Sequence, residues 1–169
     1  ADGRWRELGD IDLEVPESLR LAIESRLEHL QANTRHVLAL ASLVGRDFDF
    51  ELLDVLADLS EDELIDAVDE AERARLITSV AEGAEVRFAF AHELIRHTLV
   101  NELSLTRRQR LHRRVADALE LVHAGSLGEH ASAVAYHLER AGRWADTDRT
   151  IRFLVMAGDR ALEAAAYSE

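Results

Sequence analysis

Cysteine is absent from this chain of 169 residues, so neither a disulfide framework nor a thiolate metal site is available to it. That fits a reducing compartment, and a cytoplasmic location is the expectation. Lysine is absent too, and all twenty basic residues are arginine. A Walker-type phosphate loop needs a lysine on the β/γ-phosphates, and Schiff-base catalysis needs a lysine amine; neither can be built here. Proline occurs once and glycine eight times, too little punctuation for a many-turned β fold. The longest apolar run, near Val37–Val44, falls far short of the roughly 20 residues that span a bilayer. Arg4, Arg6 and Glu7 interrupt any signal peptide at the start. No membrane association is expected.

What is present is a soluble-type composition, 47% hydrophobic with 5% aromatic residues, dominated by Leu, Val and Ala. A net charge of −13 opposes unspecific attraction to nucleic acid or anionic lipid. Apolar residues recur at spacings of three and four through most of the chain, which reads as mainly α. Leu19, Ile23, Leu27 and Leu30 predict a helix over 16–31, opened by Pro16. Asn33 or Thr34 is expected to cap a second, nearly all-apolar helix closed by Gly45. A short third helix follows Phe48 and Phe50. Ser60 and Glu63 then form a capping-box signature for a helix whose buried stripe is Leu64, Ile65, Val68, Ala71 and Leu76.

Residues 76–81 and 85–90 alternate as two strands around Glu82-Gly83-Ala84, a hairpin signal. Helices followed by a hairpin give the order of a winged helix-turn-helix over 16–104, after an entry segment at 1–15 with a short strand at 4–8. Helices are then expected at 92–103 and 106–122, from about 129 to 141, and from about 144 to the end. In the last, Ile151, Leu154, Val155, Ala161 and Leu162 mark the periodicity, and Gly142 closes the helix before it. Residues 105–169 thus read as a helical linker and the start of tetratricopeptide-like repeats. The first and last residues look like cut edges of a longer polypeptide.

Several segments together resemble a family. Pro16-Glu-Ser-Leu-Arg20, Arg26-Leu27 and Val37-Leu-Ala-Leu-Ala-Ser-Leu-Val-Gly-Arg-Asp-Phe48 are similar to the region after the nucleotide-binding core of bacterial STAND-class ATPases. Phe88-Ala-Phe-Ala-His-Glu-Leu-Ile-Arg96, Arg108-Gln-Arg-Leu-His-Arg-Arg-Val-Ala116 and Ala135-Tyr-His-Leu-Glu-Arg-Ala-Gly142 add to the likeness. These regulators couple a LuxR-type DNA-binding or nucleotide-cyclase domain to an ATPase and a helical repeat sensor. The resemblance implies a winged helix, then the opening of the repeats, with the P-loop domain upstream. It implies ATP/ADP with Mg in the parent protein and no cofactor in this stretch. Its partners would be the upstream nucleotide domain and the downstream repeats, with self-association open.

His92, at a strand-to-helix junction, matches the winged-helix histidine that in related switch ATPases meets the nucleotide diphosphate. Arg96, one turn on, shares its face. The plainer alternative is that His92 caps its helix while Arg96 pairs with a local acid.

Arg107, Arg108, Arg110, Arg113 and Arg114 form the densest basic run and a candidate interaction surface. DNA binding is disfavoured, because the helix in the recognition position carries seven acids (Glu61, Asp62, Glu63, Asp66, Asp69, Glu70, Glu72) against Arg73 and Arg75. His29/His36, His92/His97 and His130/His137 lack the i, i+4 spacing of a helical metal pair, and no metal site is expected. Ser18, Ser79 and Ser168 lack a nucleophile-elbow context. The expected role is a non-catalytic regulatory module. A stand-alone DNA-binding winged helix and a protein-docking scaffold are the alternatives.

Overall fold

The computed structural model describes residues 17–82 and 85–166. The expected entry strand at 4–8, Pro16 and the glycine of the hairpin turn lie outside them. The fold is mainly helical: α1 (Glu17–Glu28), α2 (Ala32–Val44), β1 (Asp47–Asp49), α3 (Phe50–Ala57), α4 (Glu61–Arg73), β2 (Ile77–Glu82), β3 (Glu85–Phe90), α5 (Glu93–Glu102), α6 (Leu105–Val122), α7 (Leu127–Ala141) and α8 (Thr147–Ala166). A single 3-10 turn, Gly142–Trp144, links α7 to α8.

The apolar helix α2 lies at the centre, as its all-round hydrophobicity requires. Val37, Leu38, Leu40, Ala41 and Leu43 are all buried. Each leucine or valine removed from water there contributes about 1.5–3 kcal/mol. The start of α2 differs from expectation. Gln31 is its N-cap residue and makes no side-chain cap. Glu70 of α4 supplies the missing acceptor, taking the Gln31 N–H (3.2 Å to Oε2) and the Thr34 hydroxyl. A distant carboxylate thus replaces the local cap at a positive helix end.

The capping box of α4 forms as read: the Ser60 hydroxyl oxygen accepts the Glu63 N–H, and the Glu63 carboxylate accepts the Ser60 N–H at 3.0 Å. Ile65, placed on the buried stripe, is 42% exposed instead. It lies on the cleft between α4 and the hairpin rather than beneath it.

The expected hairpin is part of a three-stranded antiparallel sheet of order β1-β3-β2. The extra strand is the short Phe48 segment, which sequence periodicity left as a connection. Phe48 pairs with Phe88 in register and packs on Phe88 and Phe90 with ring centroids 5.9 and 5.5 Å apart. Three residues are too short to show an alternating pattern, and an aromatic cross-strand cluster holds them.

Beyond residue 104 the helices fold back on one another. His112 meets His137, and His123 meets His130, so α6 and α7 run antiparallel. Glu129 and Arg160 likewise join the start of α7 to the later part of α8. One core cluster runs from Ile23 through Leu119 to Phe153, continuous across the boundary expected at 104. The residues that mark the periodicity of α8 do not form a buried stripe. Phe153 is its one buried residue among those described, while Ile151, Leu154, Val155 and Leu162 are exposed. Periodicity identified an apolar face without telling which neighbour, if any, it meets.

Candidate functional site

His92 is the N-cap of α5, with extended backbone dihedrals (φ −150, ψ 138). Its Nδ1 accepts the Leu94 N–H at 3.1 Å, satisfying one of the orphan donors at the helix start. Accepting at Nδ1 leaves the hydrogen on Nε2 and the exposed ring edge as a donor. The capping alternative therefore describes the local geometry, and it leaves a second nitrogen uncommitted.

Arg96 is more fully engaged. Its Nε donates to Glu93 Oε1 at 2.7 Å, and its Nη1 donates to the Ser42 carbonyl at 3.1 Å, tying α5 to the last turn of α2. Burial pushes the Glu93 carboxyl up, but the Arg96 hydrogen bond and charge outweigh it, with help from His97 and Arg46. Its pKa is held below the ordinary value. Arg96 can reach a phosphate only by exchanging Glu93 for it.

The five arginines of α6 do not form one surface. Arg114 is exposed but reaches toward α3, its Nη2 donating to the Leu56 carbonyl near the end of that helix at 2.7 Å. Burial, then the charges of Arg114 and Arg107, depress the pKa of His36 on α2, so these two arginines face the α2–α3 side. Arg113 pairs with Asp117 one turn along, at 3.7 Å. Arg110 lies over the Trp144 ring, 5.8 Å from its centroid, and Arg108 Nε is buried without a partner among the described residues. A run contiguous in sequence is split among several helix faces, as 100° per residue requires.

The histidines pair differently from their sequence spacing. His29, His92 and His97 stay with partners within four residues, while His36 bonds the backbone at Ala57. His112 and His137 are both buried with Nδ1 atoms 2.9 Å apart, and His123 stacks on His130 at 3.5 Å. His112 and His137 lie 13 and 12 residues either side of Gly125, and His123, which caps α6, and His130 lie two and five. The near-symmetry of the first pair about a glycine was the available signal, and spacing along a single helix could not reveal it. Burial, followed by the charges of Arg140 and Arg108, lowers His112 to about 4. Burial, then His112 and Arg140, lowers His137 to about 3. Among the described residues no group of three or more His, Asp or Glu is arranged to hold a metal ion. Nor is any described helix long and apolar enough to cross a membrane.

Two clefts indent the surface. One of about 390 Å³ is lined by Arg26, His29, Glu70 and Arg73, the other of about 200 Å³ by Ile65, Val68, Val86 and Phe88 among others. Neither contains His92 or Arg96.

No protein-family model matches the chain. It is similar to an uncharacterized protein of Rhizobium meliloti (strain 1021), 28% identical over 148 residues. That match covers 87% of this chain and spans only 14% of the relative's length.

Proposed function

We propose that this chain is a non-catalytic regulatory module of a multidomain STAND-class ATPase that controls transcription or signalling. In this reading residues 16–104 act as a winged helix and residues 105–169 open a tetratricopeptide-like sensor. The carrying observation is His92: an exposed N-cap histidine whose Nδ1 is occupied by Leu94 and whose Nε2 is free to donate. A donor at a positive helix end suits a diphosphate presented by a neighbouring domain. The succession of helices, small sheet and antiparallel helices supports the same assignment. So does a match that spans a small part of a much longer relative.

In the resting state the winged helix packs on the nucleotide domain and holds ADP with Mg, His92 donating to the phosphates. Arg96 joins once Glu93 yields. A ligand or partner on the repeats draws the winged helix away and permits nucleotide exchange. A switch of this kind needs a differential contact energy of only about 1–3 kcal/mol. The acidic face of α4 weighs against a DNA-reading role for this module.

The test is ADP retention in the intact parent protein. His92→Ala is expected to release ADP faster and raise basal activity, while Arg113→Gln, paired only within α6, leaves both unchanged. Unaltered retention in His92→Ala removes the phosphate role.

A further inference from the structure

Five of the ten arginines of the helical half are answered by an acid or a carbonyl. Arg113 pairs with Asp117, Arg149 with Asp117 and Glu120, Arg152 with Glu120 and Arg160 with Glu129, and Arg114 binds the Leu56 carbonyl. Arg108, Arg110, Arg140 and Arg143 make no ion pair among the described residues. Arg107 makes none either, but Arg110, Arg140 and Arg143 differ from it in lying over aromatic rings.

They also gather in one place, where the start of α6 meets the end of α7. Gly142 has φ 55, and a Cβ there would come within 3.0 Å of Gln109 Nε2, so glycine lets the chain turn close against α6. The turn lays Trp144 between two cations, with Arg110 at 5.8 Å and Arg143 at 5.2 Å from its ring centroid. Arg140 lies 4.6 Å from the ring centre of Tyr136. Arg108 and Arg140 both act on the charge of the buried His112, which places them on the same side of the hairpin. Trp144 Nε1 and Arg108 Nε are buried there without an acceptor among the described residues.

Aromatic faces, rather than carboxylates, hold Arg110, Arg140 and Arg143. Stacking occupies the flat side of a guanidinium and leaves its N–H edge directed outward, the geometry that takes an oxyanion in two parallel hydrogen bonds. We propose that Arg110 and Arg143 on Trp144, with Arg140 on Tyr136, form a docking surface for an acidic protein segment whose Asp and Glu side chains the guanidinium edges receive.

Nucleic acid fits this surface less well. Duplex DNA carries a charge about every 1.7 Å and extends well past a patch of this size. It would then meet Glu139, Asp146, Asp148 and the rest of a chain of net charge −13. A short acidic segment has to match only the patch, within a Debye length of about 8 Å. This assignment stands apart from the nucleotide role of His92, and either can fail alone.

Trp144 reports on the surface. In a Trp5→Phe background it is the single indole, and titration with a short oligoglutamate peptide is expected to give a saturable emission change that weakens with salt. The double variant Arg110→Gln/Arg143→Gln loses about tenfold or more in apparent affinity, while Arg113→Gln keeps it. Helical circular dichroism checks that the exposed substitutions leave the fold intact, and Arg143→Gln alone supplies the comparison if the double variant does not fold. No saturable change, or one that the variants retain in full, overturns the proposal. Tighter capture of duplex DNA than of oligoglutamate at matched salt also overturns it and gives the surface to nucleic acid.

Discussion

His112 and His137 face each other across the α6–α7 hairpin with their Nδ1 atoms 2.9 Å apart, both rings buried. One nitrogen must donate and the other accept, so the two rings hold opposite tautomers and both are neutral. Protonating the acceptor ring would set two N–H groups head to head, and protonating either would bury a charge close to those of Arg140 and Arg108.

Acid should therefore loosen the hairpin. Both histidines titrate near 6.5 when unfolded and are depressed to about 4 and about 3 in the fold, chiefly by burial. Between those limits the unfolded chain binds more protons, so stability falls as pH drops below about 6.5. Thermal melts should show Tm falling by several degrees on going toward pH 4, since about 1 kcal/mol moves Tm by about 2–4 °C at this size. The double variant His112→Leu/His137→Leu should show a shallower acid slope. An unchanged slope would mean that other groups set it.

Breaking the pair should cost more than deleting it. His137→Leu leaves His112 Nδ1 buried without a partner, a loss of about 1–3 kcal/mol in urea unfolding. Replacing both rings should recover part of that loss, so the two substitutions should be clearly non-additive.

Phe153 holds α8. It is 1% exposed and is the helix's one buried residue among those described. Phe153→Ala should cost about 3–5 kcal/mol if the helix stays docked. If it undocks, hydrogen exchange should rise over α8 while α2 and α4 keep their protection.

Arg114 and Arg107 should differ despite their adjacency in one basic run. Arg114→Gln removes the 2.7 Å donor to the Leu56 carbonyl and should destabilise by about 1.5–3 kcal/mol. The exposed Arg107→Gln should stay within about 0.5 kcal/mol. Equal effects would show that α6 does not lean on α3 through Arg114.

At the start of α4 the cap is local and exposed. Ser60→Ala should cost about 1 kcal/mol, with Glu63 losing the hydroxyl partner but keeping the backbone N–H that does most to hold its pKa below normal.

Much of the fold was legible in the residues themselves. The buried stripes of Ile23–Leu27–Leu30, Leu64–Val68–Ala71 and Leu111–Val115–Leu119 follow from helical periodicity, and the Ser60–Glu63 box and the Gly142 stop from local backbone chemistry. These depend on neighbours within a turn or two, so the sequence alone determined them. So, too, the absence of lysine ruled out a phosphate loop.

Other features depend on partners far along the chain. Phe48 became a strand only because Phe88 and Phe90 accept it, and α2 took its cap from Glu70 on another helix. The apolar face of α8 proved to be divided between Phe153 inward and four exposed residues. Tertiary packing likewise separated the arginines of α6, giving Arg114 a carbonyl, Arg113 a local ion pair and Arg110 an aromatic face, and brought His112 to His137. Periodicity fixes which face a residue occupies; only the docking of helices fixes what that face meets.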